Sequence, residues 1–268
     1  MRAMRLLLPT ALVLAFAGAL LPRLATAGTE PIEPPTPMVI GANDEEVAAI
    51  TERVERAKAE KDDTLLVSAL RDMNERRHAA FVPIIREALA SKNLEVQARA
   101  CSAAASNEMY DDAKTVRKVL AAGRKRQKGK GGRTEGTLVV TCALDYLGRA
   151  AVEGDEELAV EVAKEIFDQE TRVKSEQSPE LLRVVLLYLG KVKADKSVPF
   201  LVELVKEPAP VDPNDPNNPP ASYWEARFKL WQAYESWARW ALKEITGQEF
   251  RTHREWAAWL NENKKKYR

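Results

Sequence analysis

Apolar residues of this chain recur at helical spacing from Asp44 onward. Val47, Ile50, Val54 and Ala57 fall three or four positions apart, and so do Leu65, Leu66, Ala69, Leu70 and Met73. Each set draws one stripe along an amphipathic helix, and Asp44 stands where the first needs an N-cap. From residue 76 the stripes come in pairs, a helix A followed by a helix B. In the first pair Phe81, Ile84, Ile85, Ala88 and Leu89 make A; Leu94, Val96, Ala100, Cys101 and Ala104 make B, capped by Asn93. Ala113, Val116, Val119 and Leu120, then Leu138, Val139, Cys142, Leu144 and Leu147, make the second pair. Leu158, Val162, Ile166 and Phe167 make the third A; Leu181, Leu182, Val185, Leu186 and Leu189 make its B, opened by Ser178-Pro179. Val198, Leu201, Val202 and Val205 make the fourth A, followed by a long B from about Ser222 to Ile245. Apart from brief apolar runs inside helical patterns, no segment alternates with the period of two that marks a strand.

The pairs have a period of about 41 residues. Tyr146-Leu147-Gly148 recurs as Tyr188-Leu189-Gly190, and Cys101 recurs as Cys142. Such a period predicts an α-solenoid, in which each unit buries its apolar face only against its neighbours. Leu189 finds its match at Leu242 only after an excess that Pro208 to Pro220 accounts for. That segment holds six prolines and cannot be helix. The cysteines share the period and fall on adjacent B helices, whose axes lie about 8–10 Å apart, too far for an ordinary disulfide. Two buried thiols are expected, with a bridge as the alternative in an oxidising compartment.

Leu189-Gly190-Lys191-Val192-Lys193-Ala194-Asp195-Lys196-Ser197-Val198-Pro199-Phe200-Leu201 resembles the HEAT-repeat consensus. There a helix B ends in Leu-Gly, a short turn carries Asp, and Val-Pro opens the next helix A. Phe81-Val82-Pro83-Ile84-Ile85 repeats the Val-Pro element, whereas Thr115 and Val160 stand near the Pro position elsewhere. Gly190 suits a left-handed C-cap and Pro199 a first helical turn. The resemblance runs from roughly Asp62 to Gly247. Trp240 to Gly247, with Trp256 and Trp259, is also similar to the closing segment of some exported bacterial HEAT-like proteins. The resemblance implies a right-handed, armadillo-like superhelix, a scaffold or protein-binding role, and no catalytic residues.

The ends of the chain divide differently. Arg2 and Arg5, the apolar run Leu6 to Leu21 and Ala25-Thr26-Ala27 predict an export signal over residues 1–27, cut after Ala27. An uncleaved membrane anchor is the alternative. Residues 28–43 form a Pro-rich linker, residues 44–75 an N-terminal helical cap, 76–247 the repeats, and 248–268 a C-terminal capping helix with a basic tail. The expected location is periplasmic or secreted. With 41 basic and 40 acidic residues, three of the arginines in the leader, no global field steers the chain to nucleic acid or anionic membrane.

Four features are candidates for chemistry. Gly123 to Arg133 carries Arg124, Lys125, Arg126, Lys128, Lys130 and Arg133 with no acid, in the link between the second A and B. It can grip an acidic partner or act as a solvated loop. As a Walker A motif it fails, because Gly131 stands where Ser or Thr must hold magnesium. Asp212 to Asn218 clusters oxygen ligands but lacks the EF-hand spacing, so a rigid turn is expected. Both loops, with the Glu170–Ser178 turn between them, are expected on one edge of the array. All six tryptophans fall between Trp224 and Trp259. They read as packing of a long helix between the fourth A and a terminal helix near Thr252 to Lys264, with a carbohydrate platform as the rival. Finally, His78 and His253 are the only histidines, and no His-Glu-x-x-His or Gly-x-Ser-x-Gly motif is present.

The expectation is therefore a monomeric, non-enzymatic scaffold without cofactor or metal that binds an acidic protein or peptide. A surface protein that binds carbohydrate or polyanion through the tryptophans or the basic run is the alternative.

Overall fold

The computed structural model describes residues 39–170, 179–210 and 212–267, with the side chains of 167–170 excepted. The leader, most of the linker and the 171–178 turn lie outside the described residues, as does Ser178. Among the described residues the chain is all-α. The helices are α1 (Asp44–Glu60), α2 (Asp63–Glu75), α3 (Phe81–Leu89), α4 (Leu94–Ser106), α5 (Ala113–Lys128) and α6 (Arg133–Arg149). They continue as α7 (Glu156–Glu170), α8 (Pro179–Lys191), α9 (Val198–Leu204), α10 (Ala221–Thr246) and α11 (His253–Glu262). One element runs against the sequence pattern: β1 (Ile40–Gly41) pairs in parallel with β2 (Arg76–Arg77).

Local chemistry sets the boundaries. The N-cap of α1 is Asn43, not Asp44: Asn43 accepts from Glu46 N–H while the Glu46 carboxylate accepts from Asn43 N–H. Asn93 accepts from Glu95 and Val96 at the start of α4. Thr252 and Glu255 form a second reciprocal box on α11.

The even-numbered helices form one continuous layer. α2 packs on α4, α4 on α6, α6 on α8 and α8 on α10, while α1, α3, α5, α7 and α9 each lie against the even helix that follows. The even layer holds the core. Val139, Val140, Ala143, Leu144 and Leu147 of α6 and Leu182, Val185, Leu186 and Leu189 of α8 are all fully buried. Cys101 and Cys142 are buried free thiols in that layer.

Two devices fix the spacing of this layer. The first is the tyrosine of Tyr-Leu-Gly. Tyr146 on α6 donates its hydroxyl hydrogen to the Met109 carbonyl, in the turn after α4. Tyr188 on α8 donates to the Val152 carbonyl in the turn after α6, and accepts from Asp155 N–H, at 3.1 Å each. Burial pushes both phenols well above their ordinary range, so both remain donors. After α8 the corresponding acceptor, the Ala194 carbonyl, is taken instead by Ser197 Oγ, because Ala241 stands against Gly190 where Tyr188 stands against Gly148.

The second device is the glycine of the same motif, and it corrects the expectation for Gly190. Neither Gly148 nor Gly190 is left-handed. The positive φ falls three residues later, on Ala151 (48°) and Lys193 (51°), and likewise on Glu108 after α4 and Lys61 after α1. In each turn the following residue donates back five positions, as Val152 does to Leu147 and Ala194 to Leu189, which closes a Schellman cap. The glycines serve close approach instead. A Cβ on Gly148 would lie 3.2 Å from Tyr188 Cα, and one on Gly190 would meet the Trp240 ring at 2.5 Å.

The C-terminal cap also differs from expectation. α10 lies between α8 and α9, and α11 packs on α9. Trp240 and Trp256 are buried, whereas Trp224, Trp231, Trp237 and Trp259 are half-buried.

Candidate functional site

The basic run is mostly helix. α5 continues through Gly123 to Lys128, and only residues 129–132 form the turn into α6. The cause is packing. A Cβ on Gly123 would strike Val139 Cγ1 at 2.6 Å, and one on Gly136 would strike Gln127 N at 2.3 Å. Gly123 and Gly136 are thus the places where α5 and α6 cross closely.

That crossing turns Arg124 inward. It is 5% exposed, and both Nη atoms hold the Glu165 carboxylate of α7, at 3.0 and 2.9 Å. Nη1 also donates to Gln127 Oε1, and Nη2 lies 3.3 Å from Glu161. Lys128 reaches the same two acids, 2.7 Å from Glu161 and 3.7 Å from Glu165. The Lys128 hydrogen bond and the Arg124 charge hold the Glu161 carboxyl below the usual carboxylate value. Arg126 is paired with Glu135 at 2.8 Å. Arg124 is therefore no surface contact for a partner, and the charges of Arg126 and Lys128 are largely met within the chain. Arg133 is exposed at the first position of α6 and has a partner of its own. Lys125 and Lys130 are exposed and, among the described residues, unpaired.

Sequence reasoning passed over two further cations. Lys114 and Lys118 are exposed and, among the described residues, unpaired, and with Lys125 they occupy the face of α5 opposite the buried Val116, Val119, Leu120 and Gly123. The absence of any acid over Ala113 to Lys128 was the signal for them. Arg117 of the same helix is turned aside to Asp155, 2.7 Å away.

Beside this network the 129–132 turn and α7 enclose a cleft of about 500 Å³, lined by Gln127, Lys128, Gly129, Arg133, Val162 and Glu165 among others. Its ionic groups are Lys128, Arg133 and Glu165, of which Lys128 and Glu165 lie 3.7 Å apart. Among the described residues no three His, Cys, Asp or Glu side chains converge as metal ligands.

The Pro-rich loop forms self-capped turns. Asp212 accepts from Asn214 N–H and Asp215 from Asn217 N–H, while Asn218 donates to the Asp212 carbonyl. These oxygens are spent on their own backbone. Comparison with protein-family models, with curated proteins and with solved structures finds no match to this chain.

Proposed function

We propose that this chain is an exported HEAT-like α-solenoid, right-handed and armadillo-like, that acts as a scaffold for an acidic protein or peptide and has no catalytic role of its own. The carrying observation is the repeated joint between neighbouring pairs. Tyr146 to Met109 and Tyr188 to Val152 join two successive pairs by the same bond, and Gly148 and Gly190 occupy equivalent close approaches to α8 and α10. Units joined only to their neighbours leave long exposed faces and loops free to vary, as the Pro208 to Pro220 insertion does. The exported location rests on residues 1–27, which read as a cleavable leader. Among the described residues no helix is long and apolar enough to cross a membrane.

The partner surface in this reading is the exposed part of the basic run, with Lys125 and Lys130 as the charges that have no partner among the described residues. The test is affinity capture from native envelope extract with the purified protein and with Lys125→Glu/Lys130→Glu. A partner caught by the parent and lost from the variant, at unchanged melting temperature, supports the reading. Capture of the same partner by both moves the site off the basic run, and capture of none by either overturns the scaffold role.

The carbohydrate alternative draws on Trp224, Trp231 and Trp237, which lie half-buried along α10. Protection of tryptophan fluorescence from acrylamide by glycans would favour it.

A further inference from the structure

Two exposed helix faces in this molecule share one template with opposite charge. On α5, Lys118 and Lys125 stand seven residues apart with Ala121 and Ala122 between them; all four are exposed. On α1, Glu45 and Glu52 stand seven residues apart with Ala48 and Ala49 between them; these too are all exposed. Among the described residues none of the four charges has an ion pair or hydrogen bond. In each helix the offsets of three, four and seven residues put charge, alanine pair and charge on one stripe, about 10.5 Å from end to end.

The exposed stripes are not the default result of folding in this chain. Of the seven cations on α5, Arg117, Arg124, Arg126 and Lys128 are engaged by carboxylates of neighbouring elements. On α1, Glu46 binds Arg76, Arg53 binds Asp72, and Lys58 binds Glu55 and Glu87. What the inward and lateral positions satisfy internally, the two outward stripes leave open.

We propose that these stripes are the two halves of one contact, through which α5 of one copy of this chain docks on α1 of another. The alanine pairs give a flat centre where the helix backbones can come close, and the charges close both ends. Arg56, one turn beyond Glu52, sets the direction. With the helices antiparallel it would face Lys114; with them parallel it falls opposite Gly129. The parallel arrangement places Lys118 against Glu45 and Lys125 against Glu52. A single α5-on-α1 contact leaves one stripe open on each copy, from which growth proceeds head to tail. A single helix-on-helix patch is small, which makes the association weak, concentration-dependent and sensitive to salt. It replaces the expected monomer only in concentrated, dilute-salt solution, and it needs no other protein, so it stands or falls independently of the scaffold role.

The experiment is sedimentation velocity on the purified protein over a concentration series. At low ionic strength the weight-average sedimentation coefficient rises with concentration, and the rise disappears in about 0.5 M salt, where the screening length falls to a few ångströms. Lys118→Glu/Lys125→Glu and Glu45→Lys/Glu52→Lys each weaken association about tenfold or more. An equimolar mixture of the two variants regains it, because every reversed stripe then meets its complement; that recovery also shows that both variants are folded. Arg56→Ala leaves association unchanged. A coefficient that never rises with concentration, variants that associate like the parent, or a mixture that fails to recover would each overturn the proposal. Stronger association of Arg56→Ala would overturn the parallel direction.

Discussion

Tyr188 Cα lies 3.2 Å from the point where a Cβ on Gly148 would stand. The contact is backbone against backbone, so no rotamer change can relieve it. Gly148→Ala should push α6 and α8 apart and cost about 2 kcal/mol, in the range of overpacked cores. Gly136→Ala, whose Cβ would sit 2.3 Å from the Gln127 nitrogen, should cost more. Urea melts of both variants check the order: an equal or milder effect at Gly136 would mean that α5 and α6 can slide.

The tyrosine pegs predict a second effect. Tyr146→Phe leaves the buried Met109 carbonyl without its donor and should cost about 1–2 kcal/mol. Tyr188→Phe removes a donor to Val152 and an acceptor for Asp155, and should cost at least as much. Thermal denaturation gives the values. No loss at either site would show that water replaces the phenol.

Ala151 carries a left-handed backbone, φ 48°, with an exposed side chain. Ala151→Gly relieves the steric penalty and loses no packing, although it also frees the unfolded chain. The expected outcome is a gain of about 0.5–1 kcal/mol, read as a higher urea midpoint at unchanged slope.

Within the basic run, Arg124 and Lys125 should behave oppositely although they are neighbours. Arg124→Ala strands Glu165 beside a buried hole and should cost about 2 kcal/mol, less than a fully buried pair because the acids are partly in water. Lys125→Ala should change stability by no more than about 0.5 kcal/mol. Equal melting temperatures for the two variants would contradict the inward placement of Arg124.

Glu161 gives the pH dependence. Its folded carboxyl lies below its unfolded value because Lys128 and then Arg124 favour the charged form. Its contribution is complete above the ordinary carboxylate range and is lost as pH falls through the lowered folded value. The melting temperature of the parent should fall more steeply below about pH 4 than that of Glu161→Gln. Parallel curves would show that the pair adds nothing.

The helix pairs were legible because their apolar positions recur with a period of 3.6, although the even-numbered helices bury more than the single stripe that this pattern marks. The Tyr-Leu-Gly recurrence marked the joints but not their chemistry. A glycine kept for close approach looks the same in sequence as one kept for positive φ, so Gly190 read as a cap while Lys193 took the left-handed position unseen. Gly123 similarly read as the start of the link between the second A and B, where it lies inside α5 and serves helix crossing. Arg124 was misplaced because its burial depends on Glu165, a distant residue. Their separation of 41 residues equals the period, and that coincidence was the available signal. The unpaired stripes of α5 and α1 were invisible for another reason: a charge with no partner is recognised only once its neighbours' partners are known.

The two sides of the array are fastened differently. Even-numbered helices touch through buried leucines, valines and glycines. Across the odd-numbered side run Lys58 to Glu87, Arg86 to Asp112, Arg117 to Asp155 and Lys196 to Glu157. A body built this way resembles a leaf spring with one inextensible face and one laced face. Salt loosens the lacing and leaves the apolar face at its fixed length, so ionic strength should alter how far the array bends well before it alters whether the array stays folded.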